Sequence, residues 1–392
     1  MKLISIKKFI RIKDIAIGIS VLAIVTLISA CKGKSVKNDN ADVSLYKLYE
    51  NNYTIGVALS DKDIDDSLTT AIANKHFNSI TGENAMKWEY IHPHPGVYDF
   101  NASDRLVEFG KTHGKEIVGH VLVWHQQTPE WVFKNDDGSL VSRDTLLERM
   151  HDHIARVVGR YKGEVHCWDV VNEAIADDGS IRENIWYNII GIDYVEKAFE
   201  FAREADPDAI LIYNDYSLPT PVKREGVVKL VKELKDKGVK IDAIGMQGHY
   251  HLDYPDLSEM EQSIISFAAI GCQVMFTELD INVLPHEDLY GADISLNFAY
   301  DEKLNPYTSA LPDSMHNVLS DRYVSLFEIF NRHADKISRV TIWGLHDGSS
   351  WLNHWPVRGR SNYPLLFDRN FQPKPAFWAL VRLGKDQEPV KN

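Results

Sequence analysis

The sequence has few cysteines and is short of positive charge. Its 392 residues include three cysteines, and 43 lysines and arginines stand against 56 aspartates and glutamates, which gives a formal net charge of −13. The cysteine spacing fits neither a disulfide framework nor a zinc site. Because binding of phosphate backbones requires a basic surface, the acidic balance argues against nucleic acid as a partner.

Other features of known function classes are also missing. No Gly-rich phosphate loop follows the first predicted strand, which disfavours a dinucleotide-binding domain. No internal repeat or low-complexity linker follows residue 45, so we expect one domain over 45–385. The composition, 44% hydrophobic and 25% charged, is typical of a folded protein and excludes disordered, collagen-like and coiled-coil chains.

A long apolar run occurs at the N-terminus, over residues 15–30, directly after a basic start. Sixteen residues are short for a membrane span and typical of a signal-peptide core. Ile28-Ser29-Ala30-Cys31 resembles a bacterial lipobox, in which the cysteine becomes the lipid-modified N-terminus. We therefore predict a lipoprotein signal peptide over 1–30 and a flexible tether over 31–44. The alternative is an uncleaved membrane anchor.

Either interpretation places the chain outside the cytoplasm on a membrane tether. The predicted location is the bacterial outer membrane, on its periplasmic or cell-surface face, with lipid attached at Cys31. Removal of residues 1–30, which carry five basic residues and one acidic residue, would change the net charge from −13 to −17. Such a charge disfavours anionic substrates and is compatible with neutral ones.

Eight short apolar, β-branched segments alternate with helical patterns along the chain. They start near Tyr53, Phe77, Glu116, Val165, Ala209, Ile241, Gln273 and Arg339. This alternation predicts an α/β fold with a parallel sheet, and eight strands are the number that closes into a (β/α)₈ TIM barrel. An open doubly wound sheet is the alternative at this point.

The spacing of apolar residues predicts three helices between these strands. One follows Ser142 as N-cap, and another has Pro221 in its first turn and ends at Gly238. A weaker pattern begins at Ser258. The longest irregular stretch, 286–317, follows the seventh strand, and a loop of that length is usually functional or mobile.

Polar and aromatic residues gather where the predicted strands end. They are Glu83, Asn84, Lys87, His120, Trp124, His125, Asn172, Glu173, Asn214, Asp215, Tyr216, Gln247, His249, Glu278, Asp280, Trp343, His346, Asp347 and Trp351. In a barrel these ends meet on one face, where active sites lie. A purely structural protein has no reason to collect amides, carboxylates and indoles there, so the sequence predicts a catalytic site.

Two carboxylates from different strands are suited to the cleavage of a glycosidic bond. The leaving oxygen of an acetal must be protonated while a second carboxylate attacks or stabilises C1. Glu173 and Glu278, 105 residues apart, are the natural pair. A glutamate at a strand end more often forms a salt bridge, but amides, histidine and tryptophan accompany both positions.

Seven sequence motifs resemble those of family 10 glycoside hydrolases, and they occur along this chain in the order in which they occur in that family. They are WDVVNEA at 168–174, TELD at 277–280, ENAMKW at 83–88, GHVLVWH at 119–125, GMQGHY at 245–250, TIWGLHDGSSW at 341–351 and PLLFD at 364–368. The resemblance spans about 45–383. It implies a (β/α)₈ barrel with endo-β-1,4-xylanase activity.

The resemblance also implies roles for individual residues. Glu173 would be the general acid/base and Glu278 the nucleophile, with His249 hydrogen-bonded to the nucleophile. The substrate-binding residues would be Glu83, Asn84, Lys87, His120, Trp124, Gln127, Asn172, Gln247, His249, Trp343 and Trp351. The acid role requires a raised pKa of Glu173, which we expect the charge of Glu278 to supply.

Three histidine pairs have a spacing that metal ligands can have: His92 with His94 in a proline-containing loop, His151 with His153, and His249 with His251. Positions i and i+2 do not share a helix face, which weakens His151 with His153, and no third ligand is evident for His249 with His251. We predict no metal and no cofactor. Cys167 and Cys272 are expected to be buried thiols, although a bridge between them stays open.

The sequence therefore predicts a tethered, monomeric, retaining endo-β-1,4-xylanase whose partners are xylan, xylo-oligosaccharides and the membrane. The nearest alternative is a β-1,4-glucanase or mannanase on the same scaffold, because hexoses differ from xylose chiefly by a C6 hydroxymethyl group. An alternative of another class is a carbohydrate-binding lipoprotein without catalysis, which would need neither Glu173 nor Glu278.

Overall fold

The computed structural model describes residues 43–285 and 292–386. The predicted signal peptide, Cys31 and nearly all of the predicted tether lie outside these residues. The described residues fall within one unit, Val43–Asn392. Within them, no helix combines the length and the apolar character that a membrane span requires.

Strands and helices alternate along the described chain. The strands are β1 (Thr54–Leu59), β2 (Ser79–Gly82), β3 (Glu116–Val123), β4 (Cys167–Asn172), β5 (Ile210–Asp215), β6 (Ala243–Met246), β7 (His249–His251), β8 (Gln273–Asn282) and β9 (Ile337–Ile342). The helices are α1 (Leu45–Tyr49), α2 (Asp61–Asp65), α3 (Ser67–His76), α4 (Trp88–Ile91), α5 (Asn101–Thr112), α6 (Arg143–Arg160), α7 (Ile185–Ile190), α8 (Asp193–Ala205), α9 (Pro221–Asp236), α10 (Leu257–Ala269), α11 (Asp313–Arg332) and α12 (Pro375–Lys385).

Eight of the strands form a closed parallel barrel. Neighbours pair in the order β6-β5-β4-β3-β2-β1-β9-β8, and β6 pairs with β8 to close the ring. The short β7 adds to the far end of β8. The predicted (β/α)₈ TIM barrel is confirmed. The open-sheet alternative is wrong, because β6 and β8, which would be edge strands of an open sheet, pair with each other.

The strands are buried on both faces, because one face points into the packed interior of the barrel and the other packs against the surrounding helices. A small cluster takes one residue from each of five neighbouring strands: Val118, Cys167, Ile212, Ala243 and Met275. We assign it to a layer of side chains inside the barrel. Cys167 and Cys272 are both buried and free, so the thiol prediction is confirmed and no disulfide joins them.

The predicted helices occur with small shifts at their ends. The Ser142 hydroxyl caps α6 by accepting a bond from the Thr145 amide, and α9 has Pro221 in its first turn. α10 begins at Leu257, one residue before the predicted start, because the Asp256 carboxylate caps it by accepting from the Ser258 and Glu259 amides. α11 begins at Asp313, so the irregular stretch ends before residue 317.

Candidate active site

A cavity of about 360 Å³ opens at the carboxyl ends of the barrel strands. Its lining contains every predicted catalytic and substrate-binding residue: Glu83, Asn84, Lys87, His120, Trp124, Gln127, Asn172, Glu173, Gln247, His249, Glu278, Trp343 and Trp351. Two further lining residues, Ala292 and Ile294, come from the irregular stretch after β8. Sequence reasoning missed both, because neither is polar and neither lies at the end of a strand.

Glu173 occupies the first position after β4, in a backbone conformation that non-glycine residues rarely adopt. Its φ is +61°, in the left-handed region. Its amide donates to the Asn214 carbonyl at 2.9 Å, and its own carbonyl accepts from Arg182 Nε at 3.0 Å. These bonds hold a strained backbone in place, as is common at catalytic positions.

A set of side-chain amides joins the two carboxyl groups. Asn172 and Gln247 each donate to Glu173 Oε1 at 3.0 Å. Asn214 donates to Glu278 Oε1 at 2.7 Å and to the Asn172 side-chain oxygen at 3.0 Å. The two glutamates are thus linked through two amides within one buried site. The sequence places Asn214 at a strand end but does not predict that it takes part in the site.

Glu173 holds its proton to near neutral pH. Burial raises the pKa of Glu173 to about 7, and the negative charge of Asp215 adds to the rise. The bond from Gln247 and the charge of Lys223 act in the opposite direction. The expectation that Glu278 supplies the shift is therefore corrected, because burial and Asp215 are its leading causes.

The surroundings of Glu278 favour its ionised form, whereas those of Glu173 favour the protonated form. His249 Nε2 is 3.3 Å from Glu278 Oε2, and His249 Nδ1 is 3.0 Å from Asp280 Oδ1. Burial lowers the pKa of His249, but the charges and hydrogen bonds of Asp280 and Glu278 outweigh it and raise the value to about 10. Burial raises the pKa of Glu278, yet the His120 charge and the His249 bond hold it below its usual value.

Polar side chains at one end of the cavity are already bonded to one another. Lys87 Nζ donates to Asn84 Oδ1 at 3.0 Å and to Gln127 Oε1 at 2.7 Å, and it lies 5.2 Å from the Trp124 ring centroid. Burial raises the pKa of the neighbouring Glu83 to about 7. This end offers the donors and acceptors that sugar hydroxyl groups require.

Indole rings form the apolar part of the lining. Trp351 donates from Nε1 to Asp280 Oδ2 at 2.7 Å and stacks on Trp355 with ring centroids 4.6 Å apart. Trp343 meets the His120 ring edge-on at 5.2 Å. The hydrogen bond and the stacking fix the orientation of Trp351, and the two indoles offer apolar faces to the C–H surface of a pyranose ring.

The histidines of the i, i+2 pairs, which were candidates for metal ligands, have other contacts in the structure. His249 lies between two carboxylates, and His153 stacks on Trp88 with centroids 3.7 Å apart. In the part of the chain that the structure describes, no three His, Cys, Asp or Glu side chains are grouped to hold a metal ion.

The arrangement combines one carboxyl group that stays protonated with one that stays ionised. Pairs of carboxyl groups with pKa values shifted apart are the usual basis for dividing acid and base roles. Since Glu173 and Glu278 line one cavity beside indole faces and amides, the site is suited to acid-assisted cleavage of a glycosidic bond.

Comparison with known proteins gives a consistent family. The sequence model described as Glycosyl hydrolase family 10 matches residues 44–383. The chain is 48% identical to Endo-1,4-beta-xylanase A of Xylanibacter ruminicola over 335 residues, which are 84% of this chain and 90% of that protein. It is 45% identical to Beta-1,4-xylanase of Dictyoglomus thermophilum, over 86% of this chain and 90% of that protein.

The solved structures agree with this result. A GH10 endoxylanase retrieved from a sugarcane soil metagenome is 45% identical to this chain. It aligns with a TM-score of 0.85 over 87% of this chain and 100% of its own. The crystal structure of xylanase XynB from Paenibacillus barcinonensis, 40% identical, aligns with a TM-score of 0.79 over 86% of this chain and 98% of its own.

Proposed function

Since the chain belongs to glycosyl hydrolase family 10, we propose that it is an endo-β-1,4-xylanase that cleaves internal bonds of xylan with retention of configuration. Glu173 is the proposed acid/base and Glu278 the proposed nucleophile. The observation that carries this proposal is the pair of buried carboxyl groups in one cavity, linked by amides and shifted in opposite directions.

The proposed reaction proceeds in two displacements. In the first, Glu278 attacks C1 while Glu173 donates its proton to the glycosidic oxygen, which leaves with the shortened chain. In the second, water attacks C1 of the glycosyl ester, Glu173 takes the proton of that water, and Glu278 is released as a carboxylate. Asn172 donates to the sugar 2-OH, a contact that strengthens as the oxocarbenium-like transition state forms.

The stereochemical outcome and the roles of the glutamates can be tested together. Proton NMR of xylohexaose hydrolysis should show the β-anomer as the first product, because two inversions give retention. Glu278→Ala should lose activity by about 10⁴-fold or more. Glu328→Ala, which removes an exposed glutamate of α11, is the matched control and should retain activity. First appearance of the α-anomer would contradict the double displacement.

The substrate is proposed to be xylan rather than a hexose polymer. Trp351 is fixed by Asp280 and by Trp355, so it would crowd a C6 hydroxymethyl group on a ring bound beneath it. We expect kcat/KM on xylan to exceed that on carboxymethylcellulose or mannan. A preference for either hexose polymer would favour the alternative enzyme class, and no release of reducing ends from any of them would favour a binding protein.

The membrane attachment is proposed from residues 1–31, which lie outside the described residues. The proposed mature protein is a monomer that begins at a lipid-modified Cys31 and is held on the outer membrane by the 31–44 tether. Cys31→Ala should release the enzyme from the membrane fraction, or leave the precursor uncleaved. Mass spectrometry of the N-terminal peptide would show whether the lipid is present.

A further inference from the structure

The backbone that carries the proposed acid is bonded on one side to β5. We call residues 173–175 the acid segment. The amides of its three residues donate in turn to the Asn214 carbonyl at 2.9 Å, to the Tyr213 hydroxyl at 3.1 Å and to Asp215 Oδ2 at 3.4 Å. Tyr213, Asn214 and Asp215 are consecutive residues of β5, so a barrel strand holds every amide of the acid segment.

The carbonyl groups of the acid segment are all bound by one residue, Arg182. Its Nε donates to the Glu173 carbonyl at 3.0 Å, its backbone amide to the Ala174 carbonyl at 2.8 Å, and its Nη2 to the Ile175 carbonyl at 3.4 Å. Nη2 also donates to the Tyr216 hydroxyl at 2.7 Å, which fixes the far end of the side chain. Two of the three bonds to the acid segment therefore depend on the guanidinium group.

The conformation of Glu173 gives these bonds their importance. Its φ of +61° lies in the left-handed region, where a residue with a side chain is strained and stays only while surrounding bonds hold it. A change in this angle would move the carboxyl group relative to Glu278, because the side chain turns with the backbone. Proton donation requires the carboxyl to lie within hydrogen-bond reach of the glycosidic oxygen, so the bonds from Arg182 help to set where the proton is delivered.

The benefit of Arg182 to the site is geometric rather than electrostatic. A positive charge near a carboxyl group favours its ionised form, which is the opposite of what the proposed acid requires. Among the described residues that line the cavity Arg182 is absent, so it is not placed to contact a bound sugar. A planar guanidinium directs Nε and Nη2 to fixed positions, whereas a lysine ammonium offers one nitrogen for all of its bonds.

We propose that Arg182 is a positioning residue for proton donation: it holds the acid segment so that the carboxyl group of Glu173 reaches the glycosidic oxygen. This inference rests on the proposed xylanase function. It gives Arg182 a role in protonating the leaving group and none in the attack of Glu278 on C1. These two contributions respond differently to the leaving group, which allows them to be measured separately.

The test compares two substrates whose leaving groups differ in their need for a proton. Xylohexaose releases a sugar hydroxyl group, which must be protonated, whereas 2,4-dinitrophenyl β-xylobioside releases a phenolate, which leaves without a proton. Arg182→Lys keeps the charge and loses the fork of donors. It should lower kcat/KM for xylohexaose by about 30-fold and kcat/KM for the aryl glycoside by less than about threefold, because kcat/KM reports formation of the glycosyl ester.

The second displacement gives an independent measurement on the same variant. Glu173 must take a proton from water in this step, so a displaced carboxyl group should also lower kcat for the aryl glycoside. Azide needs no general base: it attacks C1, a C–N bond forms, and Glu278 is released as a carboxylate. Added sodium azide should therefore restore kcat of Arg182→Lys, with xylobiosyl azide as the product, and should not raise kcat of wild type.

Two further variants make the result decisive. Tyr216→Phe removes the hydroxyl group that binds Nη2 and leaves Arg182 in place. It should shift the ratio of the two kcat/KM values in the same direction by about threefold, and it decides the question if Arg182→Lys folds poorly. Arg203→Lys is the matched control, because Arg203 Nη1 also donates to two backbone carbonyls, those of Pro207 and Ala209, but at the amino end of β5. It should leave the ratio unchanged.

The possible results separate this inference from the proposed function. Glu173→Ala is the reference and should lower kcat/KM for xylohexaose by about 10³-fold while leaving that for the aryl glycoside nearly unchanged. If Glu173→Ala behaves in this way but Arg182→Lys and Tyr216→Phe affect both substrates equally, or neither, Arg182 does not position the acid and the xylanase proposal stands. If Glu173→Ala lowers both values equally, or wild type does not cleave xylohexaose, the proposed function itself is wrong.

Discussion

The proton affinity of Glu173 depends on a charge that does not touch substrate. Asp215, fully buried at the end of β5, raises the pKa of Glu173, while Lys223 lies 3.0 Å from Asp215 Oδ1 and acts against the rise. Lys223 also binds Asp177, whose side chain is 69% exposed. Asp215 therefore tunes the pKa of Glu173 through its charge, and the size of this effect can be measured from the pH dependence of activity.

Replacement of Asp215 by asparagine should move the alkaline limb of the pH profile. Loss of the negative charge lowers the pKa of Glu173, so the acid ionises at lower pH and activity falls earlier as pH rises. We expect the alkaline limb of kcat/KM on xylohexaose to shift down by about one pH unit. Asp177→Asn, at the exposed end of the Lys223 contact, should shift it less. A shift to higher pH would contradict the assignment.

Replacement of His249 should affect the opposite limb. The imidazolium stabilises the charge of Glu278, so His249→Asn should raise the pKa of that carboxyl and move the acidic limb to higher pH by about one unit. We expect kcat/KM at its pH optimum to fall by about 100-fold, because Glu278 loses the hydrogen bond from His249 that orients its carboxylate. His354→Asn, at an exposed histidine, is the control. An unmoved acidic limb would mean that His249 does not control this charge.

At the scale of elements, the loop that follows Glu173 is packed directly on α9. The Ile175–Ile181 bridge closes this loop, and a Cβ on Gly226 of α9 would lie 2.3 Å from the Gly179 carbonyl oxygen. Gly179 itself has φ +80°. The contact allows the helix backbone to approach the loop that carries the proposed acid.

Two glycine-to-alanine changes should therefore have opposite effects on stability. Gly226→Ala forces α9 and the loop apart and should cost about 1–3 kcal/mol of unfolding free energy, with a loss of kcat from displaced Glu173. Gly159→Ala, in α6 with nothing within 4 Å of the added Cβ, should stabilise by up to about 1 kcal/mol. Urea denaturation and xylohexaose kinetics measure both. If both variants changed the unfolding free energy equally, the close contact between Gly226 and Gly179 would not be important for stability.

At the scale of the whole molecule, several buried histidines link stability to pH. Burial lowers the pKa of His76 and of His92 to about 4, and it lowers the pKa of His153 well below its usual value. The unfolded chain binds protons on these groups near pH 6.5, whereas the folded protein does not. Their contribution to stability is complete above that pH and is lost as the pH falls below it.

His153 gives the clearest measurement of this linkage, since it is fully buried against Trp88. His153→Phe keeps a flat ring and removes the titrating group. Relative to wild type, the variant should gain about 2 kcal/mol of unfolding free energy between pH 6.5 and pH 5. His151→Phe, on the exposed side of the same helix, should show no comparable gain. If the unfolding free energies of His153→Phe and wild type changed with pH in the same way, the linkage would be contradicted.

The barrel and the members of its cavity could be predicted from the sequence because both depend on local patterns. Alternation of apolar strands with helices determines a parallel sheet, and polar residues at strand ends must gather where parallel strands end together. Family motifs then separated Glu173 and Glu278 from other strand-end residues. Helix ends were less predictable: the apolar pattern indicated a helix from Ser258, whereas α10 begins at Leu257, where the Asp256 carboxylate caps it.

The sequence by itself determined the fold class, the acidic character and the pair of carboxyl groups. Only the tertiary structure decided which charge tunes Glu173, because Asp215 lies near it through the pairing of β4 with β5 and not through proximity in the chain. The structure also decided that residues 292–298 lie beside the cavity, in contact with the loops after β3 and β9. These contacts depend on hydrogen bonds to Asp293 from Gln126 and Trp355, which are distant from it in sequence and approach it only in the folded barrel.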